Sequence, residues 1–179
     1  MPRYPEPYIE YLIYLHVERD FFECHEVLEE YWKSVPNSPL RQAWHGLIQI
    51  AVALYHQRRG NIAGARKMLE SAIHNISEDH MEQLGLQVDA FSQVLSDRLE
   101  QLKQSPQAVF EDLNFPIADN ELLLLCQSHP LAANKLWLSR SDLLDTGLIH
   151  KHTLRDRSEV IETRQKQYEL RKQSRELKG

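Results

Sequence analysis

The chain has 179 residues, with 26 acidic against 21 basic side chains and a formal net charge of −5. That length supports one domain with an extension but not two full-sized domains, and the mild acidity argues against a general polyanion binder, so no nucleic-acid partner is expected. No apolar run approaches the roughly 20 residues that span a bilayer, no charged-then-apolar leader precedes Tyr4-Pro5, and Cys24 and Cys126 stand far apart with no Cys-x-x-Cys pattern, so the expectation is a soluble, cytoplasmic protein with reduced thiols and no membrane contact.

Taken in order, the chain reads as helix after helix. An aromatic-rich helix is predicted from about Pro7 to Val17. Asp20 offers an N-cap with Glu23 three residues on, a capping-box spacing that starts a second helix running to about Lys33. After the connection 35–38, Ser38 is a candidate N-cap with Pro39 at the first helical position, and a third helix runs to Arg59. Gly60 fits its C′ position and Asn61 caps a fourth helix, in which Ile62, Ala65, Leu69, Ala72 and Ile76 keep helical spacing. A fifth, from about Asp89 to Lys103, places Phe91, Val94, Leu95 and Leu102 on one face. The expected fold is all-α: a compact irregular bundle of about five core helices over residues 1–105, followed by a helical extension over 106–179.

Beyond Ser105-Pro106 the character changes. The run Leu122 to Leu125 is read as a short helix, and Trp137 as an anchor for the extension. From Thr153 to Gly179 the chain is dense in Arg, Lys, Glu and Gln, which suits a solvated terminal helix packing on a protein partner or a second copy of the chain. His150 and His152 are read as a solvated loop.

Chemistry concentrates in the second and third helices. Turning the second by about 100° per residue puts Phe21, Phe22, His25, Leu28, Glu29 and Trp32 in one arc, with Glu26 at its edge and Glu23 and Glu30 pointing away. His25 and Glu29 are one turn apart, roughly 6 Å along the axis. On the third helix apolar residues cover most of the circumference, yet Gln42, His45, Gln49 and His56 align in a stripe. A short loop implies antiparallel packing, which sets His45 opposite the gap between His25 and Glu29, with Gln49 one turn further on.

Three readings fit such a cluster. His25 and Glu29 could be ligands of a divalent metal ion, completed by His45 or Gln49, with Glu26 as general base on a metal-activated water. His25 and Glu29 could form a metal-free proton-transfer pair. Or a His-Glu-Gln network simply satisfies itself and fixes the packing of the two helices.

The strings Phe-Phe-Glu-Cys-His-Glu-Val-Leu-Glu-Glu-Tyr-Trp, Gly46-Leu-Ile-Gln-Ile-Ala-Val-Ala-Leu-Tyr-His56 and Gly60-Asn-Ile-Ala-Gly-Ala65 resemble the signature of the bacterial and archaeal family called domain of unknown function 309, over about residues 9–103. The resemblance implies a small all-helical protein. Members are sometimes labelled predicted metal-dependent hydrolases, with His25, Glu26, Glu29, Trp32, Gln49 and His56 on the matching positions. The family more often has Gln where this chain has His45, which favours Gln49 as the completing ligand. A different function stays open: Ala53, Gly60, Ala65, Leu69 and Ala72 are spaced like a tetratricopeptide helix pair, the mark of a protein-interaction scaffold, although only one such unit is legible.

Overall fold

The computed structural model describes residues 2–105, 107, 109–154, 162, 165, 166 and 169. They fall into two compact units, Met1–Ile149 and His150–Gly179. In the second, a short helical turn, Lys151–Leu154, is described, as are four helical residues, 162, 165, 166 and 169; most of the charged helix expected from Thr153 onward lies outside the described residues.

The first unit is all-α. Its helices are α1 (Glu6–Ile13), α2 (Phe21–Ser34), α3 (Arg41–Arg58), α4 (Ile62–Asn75), α5 (Glu78–Gln83), α6 (Val88–Gln104), α7 (Asn120–Ser128) and a last turn, α8 (Thr146–Ile149). Local chemistry accounts for most of these limits. Asp20 accepts the Glu23 N–H and starts α2, Asn61 does the same for α4 through Gly64, and Asp119 starts α7 through Glu121, each satisfying a donor with no intrahelical partner. Gly60, at φ +80°, takes the left-handed turn between α3 and α4 that a Cβ would oppose.

The first helix is shorter than expected. After Ile13 it widens into a π-helical turn, Tyr14–Glu18, closed by Arg19 in the left-handed region at φ 53°. The third helix also starts later, at Arg41. Ser38 is used differently from an N-cap of that helix: its hydroxyl accepts from the Leu40 N–H and lies 3.3 Å from the Trp44 indole nitrogen, which fixes a turn ahead of the helix. The short α5 stands between the fourth and fifth helices expected from sequence, and Ser77 caps it reciprocally with His80.

α3 is central, packed between α2 and α4, and its side chains from Ala43 to Arg58 are buried on nearly every face. Tyr8, Tyr11, Leu12, Phe21, Leu28, Leu47, Ile50 and Phe91 form the fully enclosed core around it. The change in composition at 105 does not end this core. Phe110, Leu113, Phe115, Leu122 and Cys126 belong to the same cluster, and a backbone bridge joins Leu86 to Ile117.

Candidate functional site

Along α2, Phe21, Cys24 and Leu28 are the buried positions. His25, Glu26 and Glu29 occupy the neighbouring strip and are half-buried, with side chains 21%, 36% and 38% exposed. They bring one imidazole nitrogen and two carboxylate oxygens within 4.8 Å of one another. Nε2 of His25 lies 3.0 Å from Oε1 of Glu26, the imidazole meets the Phe22 ring edge-on at 4.8 Å, and Glu29 pairs with Lys33 one turn on at 3.0 Å. Glu30 is exposed.

The partners expected on α3 are elsewhere. Phe22 packs on Tyr55 and Trp32 on His45, so the two helices do run antiparallel, and this register sets 25 and 29 level with 52 and 48. Val52 and Ile48 stand there, not Gln49. Gln49 points to α4: its amide donates to Oγ of Ser71 and its carbonyl accepts from Nδ2 of Asn75, both at 2.8 Å. His45 is exposed and stacks on Trp32 at 5.4 Å, next to Arg41, whose guanidinium lies 4.0 Å above the same indole. His56 faces Asn61 across the α3–α4 turn, and its pKa is lowered by burial and by Arg59. The expected ligand set of His25, Glu29, Gln49 and His45 is therefore not assembled. Glu26 takes the third place, and the group sits at the edge of the α2–α3 seam, open to solvent, not in a chamber between the helices.

The donor types that remain fit a divalent cation. One imidazole and two carboxylates are hard-to-borderline ligands in the number used by open catalytic sites, which keep a position for water. A second group, Glu6, Glu10 and His129, has the same composition but different chemistry. Nδ1 of His129 accepts the Leu131 N–H, so Nε2 carries the proton and donates to Glu6 at 2.6 Å. A ligating histidine needs the reverse, with its second nitrogen donating. His25 also turns Nε2 to a carboxylate, that of Glu26, but among the described residues no N–H holds its Nδ1 as an acceptor, so its tautomer can reverse.

Sequence reasoning missed the most enclosed polar groups. His16 is fully buried. Its Nδ1 donates to the Leu12 carbonyl at 2.7 Å and Nε2 accepts the Phe115 N–H at 2.8 Å, while Trp137 stacks on it at 4.7 Å. Desolvation holds its pKa down at about 3, so it is a neutral clasp. Arg19 is buried as deeply, its guanidinium donating to the carbonyls of Ser139, Leu15 and Leu113 and to Oδ1 of Asn114. Arg58 donates to the Arg19 carbonyl at 2.6 Å and lies over the Phe21 ring. Arg98 donates to Gln57 and to the Asp112 carbonyl. These partners lie up to 120 residues away in sequence, and the available signal, a left-handed arginine closing a π turn, is invisible to side-chain periodicity.

A family model described as a domain of unknown function, DUF309, matches residues 8–68, which include α2, α3 and the triad. An uncharacterized protein of Bacillus subtilis strain 168, YpuF, is 40% identical over 175 residues, covering 97% of this chain and 99% of its own length. The chain belongs to the domain of unknown function 309 family. Its likeness to the Bacillus relative continues well past the matched region, through the segment after 105. A shorter match, to an uncharacterized protein of Aquifex aeolicus strain VF5, is 33% identical over 54 residues, 30% of this chain and 16% of that protein. No solved structure matches. Among the described residues no helix is long and apolar enough to cross a membrane.

Proposed function

We propose that this member of the domain of unknown function 309 family binds a divalent cation through His25, Glu26 and Glu29 and acts as a metal-dependent hydrolase. The observation that carries the reading is the convergence of three donor atoms within 4.8 Å on one exposed-edged strip of α2. Little more than one turn of a single capped helix holds all three, so the backbone is ordered before any ligand arrives. Modest side-chain rotations would bring the donors to the spacing that ligand bonds of about 2.0–2.2 Å require.

The residues divide the work by position. His25 offers Nε2 once its hydrogen bond to Glu26 is given up, and Glu29 offers the oxygen now held by Lys33. A carboxylate ligating through one oxygen keeps the other as a proton acceptor, so the general-base role expected of Glu26 is compatible with its place among the ligands. A divalent ion there supplies Lewis acidity and an activated water. The half-exposed strip leaves room for a substrate to approach from solvent.

The test is elemental analysis and zinc or manganese titration of protein purified without an affinity tag, repeated on His25→Ala with helical content followed by circular dichroism. Stoichiometric metal that disappears in the variant while helicity survives is the expected result. Protein that takes up neither ion overturns the reading; a large loss of stability in the same variant would then point to a packing role and to the scaffold function. Assembly through the extension after 105, with a partner or a second copy, is part of the proposal, and sedimentation of the full chain reads it.

A further inference from the structure

Away from α2's triad, a cavity of about 490 Å³ opens between the end of the π turn and the segment after α6, within the size range of small-molecule sites. Arg19, Glu111, Asp112, Asn114, Arg140 and Ser141 supply its polar wall, and Phe110, Leu138 and Leu143 its apolar one. Of the three non-glycine residues at positive φ in the described chain, two, Arg19 and Leu138, line this cavity. A leucine held there is strained by its side chain, and such strain gathers at ligand sites. The neighbouring π turn is a second backbone irregularity of the kind found at such places.

The lining carries two guanidiniums, Arg19 and Arg140, and two carboxylates, Glu111 and Asp112, and they are unevenly paired. Asp112 faces Arg19 at 3.8 Å and takes the Ser141 N–H at 2.7 Å; Glu111 attracts Arg98; Asp20 attracts Arg58. Both lining carboxylates are thus drawn to buried guanidiniums. Arg140, exposed at the cavity, has no hydrogen bond or ion pair among the described residues. Asn114 accepts from Arg19 through Oδ1, which leaves its Nδ2 donor unpartnered among the same residues. Outside the lining, Nε of Arg58 and Nε2 of Gln57 are further buried donors without acceptors, so what the site has left over is donors.

We propose that this cavity binds a small organic oxyanion, a phosphate monoester or a carboxylate, with its charged end on Arg140 and Nδ2 of Asn114 and its apolar body on Phe110, Leu138 and Leu143. Arg140 supplies the planar two-pronged donor that such groups match. The site is separate from the triad on α2 and goes beyond the hydrolase reading.

Isothermal titration with phenyl phosphate and with benzoate tests it and tells the two oxyanions apart. At least one should bind saturably at one per chain, about tenfold more weakly to Arg140→Gln, which removes a charge-assisted pair, and with unchanged affinity to Arg66→Gln on the exposed side of α4. His25→Ala should bind as the parent does, which separates this site from the triad. Failure of both compounds to bind overturns the inference, as does undiminished binding by Arg140→Gln or loss of binding in His25→Ala.

Discussion

Gly46 of α3 lies directly against Ile76 at the end of α4: a Cβ on the glycine would come 2.5 Å from Cγ1 of Ile76 and 3.3 Å from the Ala72 carbonyl. The glycine is there for what touches it, since its own helix would gain from an alanine by up to about 1 kcal/mol. Gly46→Ala should nevertheless lower stability by about 1–2 kcal/mol, because overpacking a close helix pair costs more than propensity returns. Pairing it with Ile76→Ala should recover part of that loss in a double-mutant cycle followed by urea denaturation; strict additivity would show that the contact is not the cause.

His16 predicts an acid limb in the stability curve. Its folded pKa of about 3 lies below the unfolded value near 6.5, so the unfolded chain binds the proton first. The associated stability is complete above about pH 6.5 and falls as pH drops towards 3, by roughly 2 kcal/mol at pH 5. His16→Gln, less stable at neutral pH, should show a shallower decline between pH 6.5 and 5 than the parent. Parallel curves for the two proteins would contradict the assignment.

Arg19 should not tolerate lysine. Three carbonyls and an amide oxygen accept from one guanidinium, a fan of donors that an ammonium cannot reproduce. Arg19→Lys should lose about 3 kcal/mol or more, since buried acceptors are left unsatisfied, and thermal melting would read this directly. A shift of only a degree or two would mean that water replaces the missing donors.

Both thiols should be silent until the chain unfolds. Cys24 and Cys126 are free and buried, and burial pushes the Cys126 thiol up to about 12 and that of Cys24 well above its ordinary value. Reactivity belongs to the thiolate, so iodoacetamide at neutral pH should label neither in native protein and both in guanidinium. Native labelling of either would reveal local opening of α2 or α7.

Helix order, and most caps, could be read from the sequence because they are local: Asp20 with Glu23, Asn61 after Gly60, and the spacing of buried residues on α4 all act within a turn or two. The pairing direction of α2 and α3 also follows from their short connection. What escaped was the choice of neighbour. A helical wheel gives the angle at which Gln49 leaves α3, but α3 is flanked on both sides, and only packing decides that the amide meets Ser71 and Asn75 instead of His25. The same limit hid Arg58 and Arg98. Arg58 ends α3 and Arg98 lies midway along α6, and their burial depends on the segment after 105, which supplies the carbonyls of Leu148 and Asp112.

That segment has a bearing on how the protein can be divided. The family match ends at residue 68, and the composition shifts at 105, yet His16 is clasped by Phe115 and Arg19 by Ser139. A polypeptide stopped at either point would strand an imidazole acceptor and a guanidinium inside its own interior. The recurring stretch is thus a tenant of the larger molecule, with its walls built by residues that no signature describes.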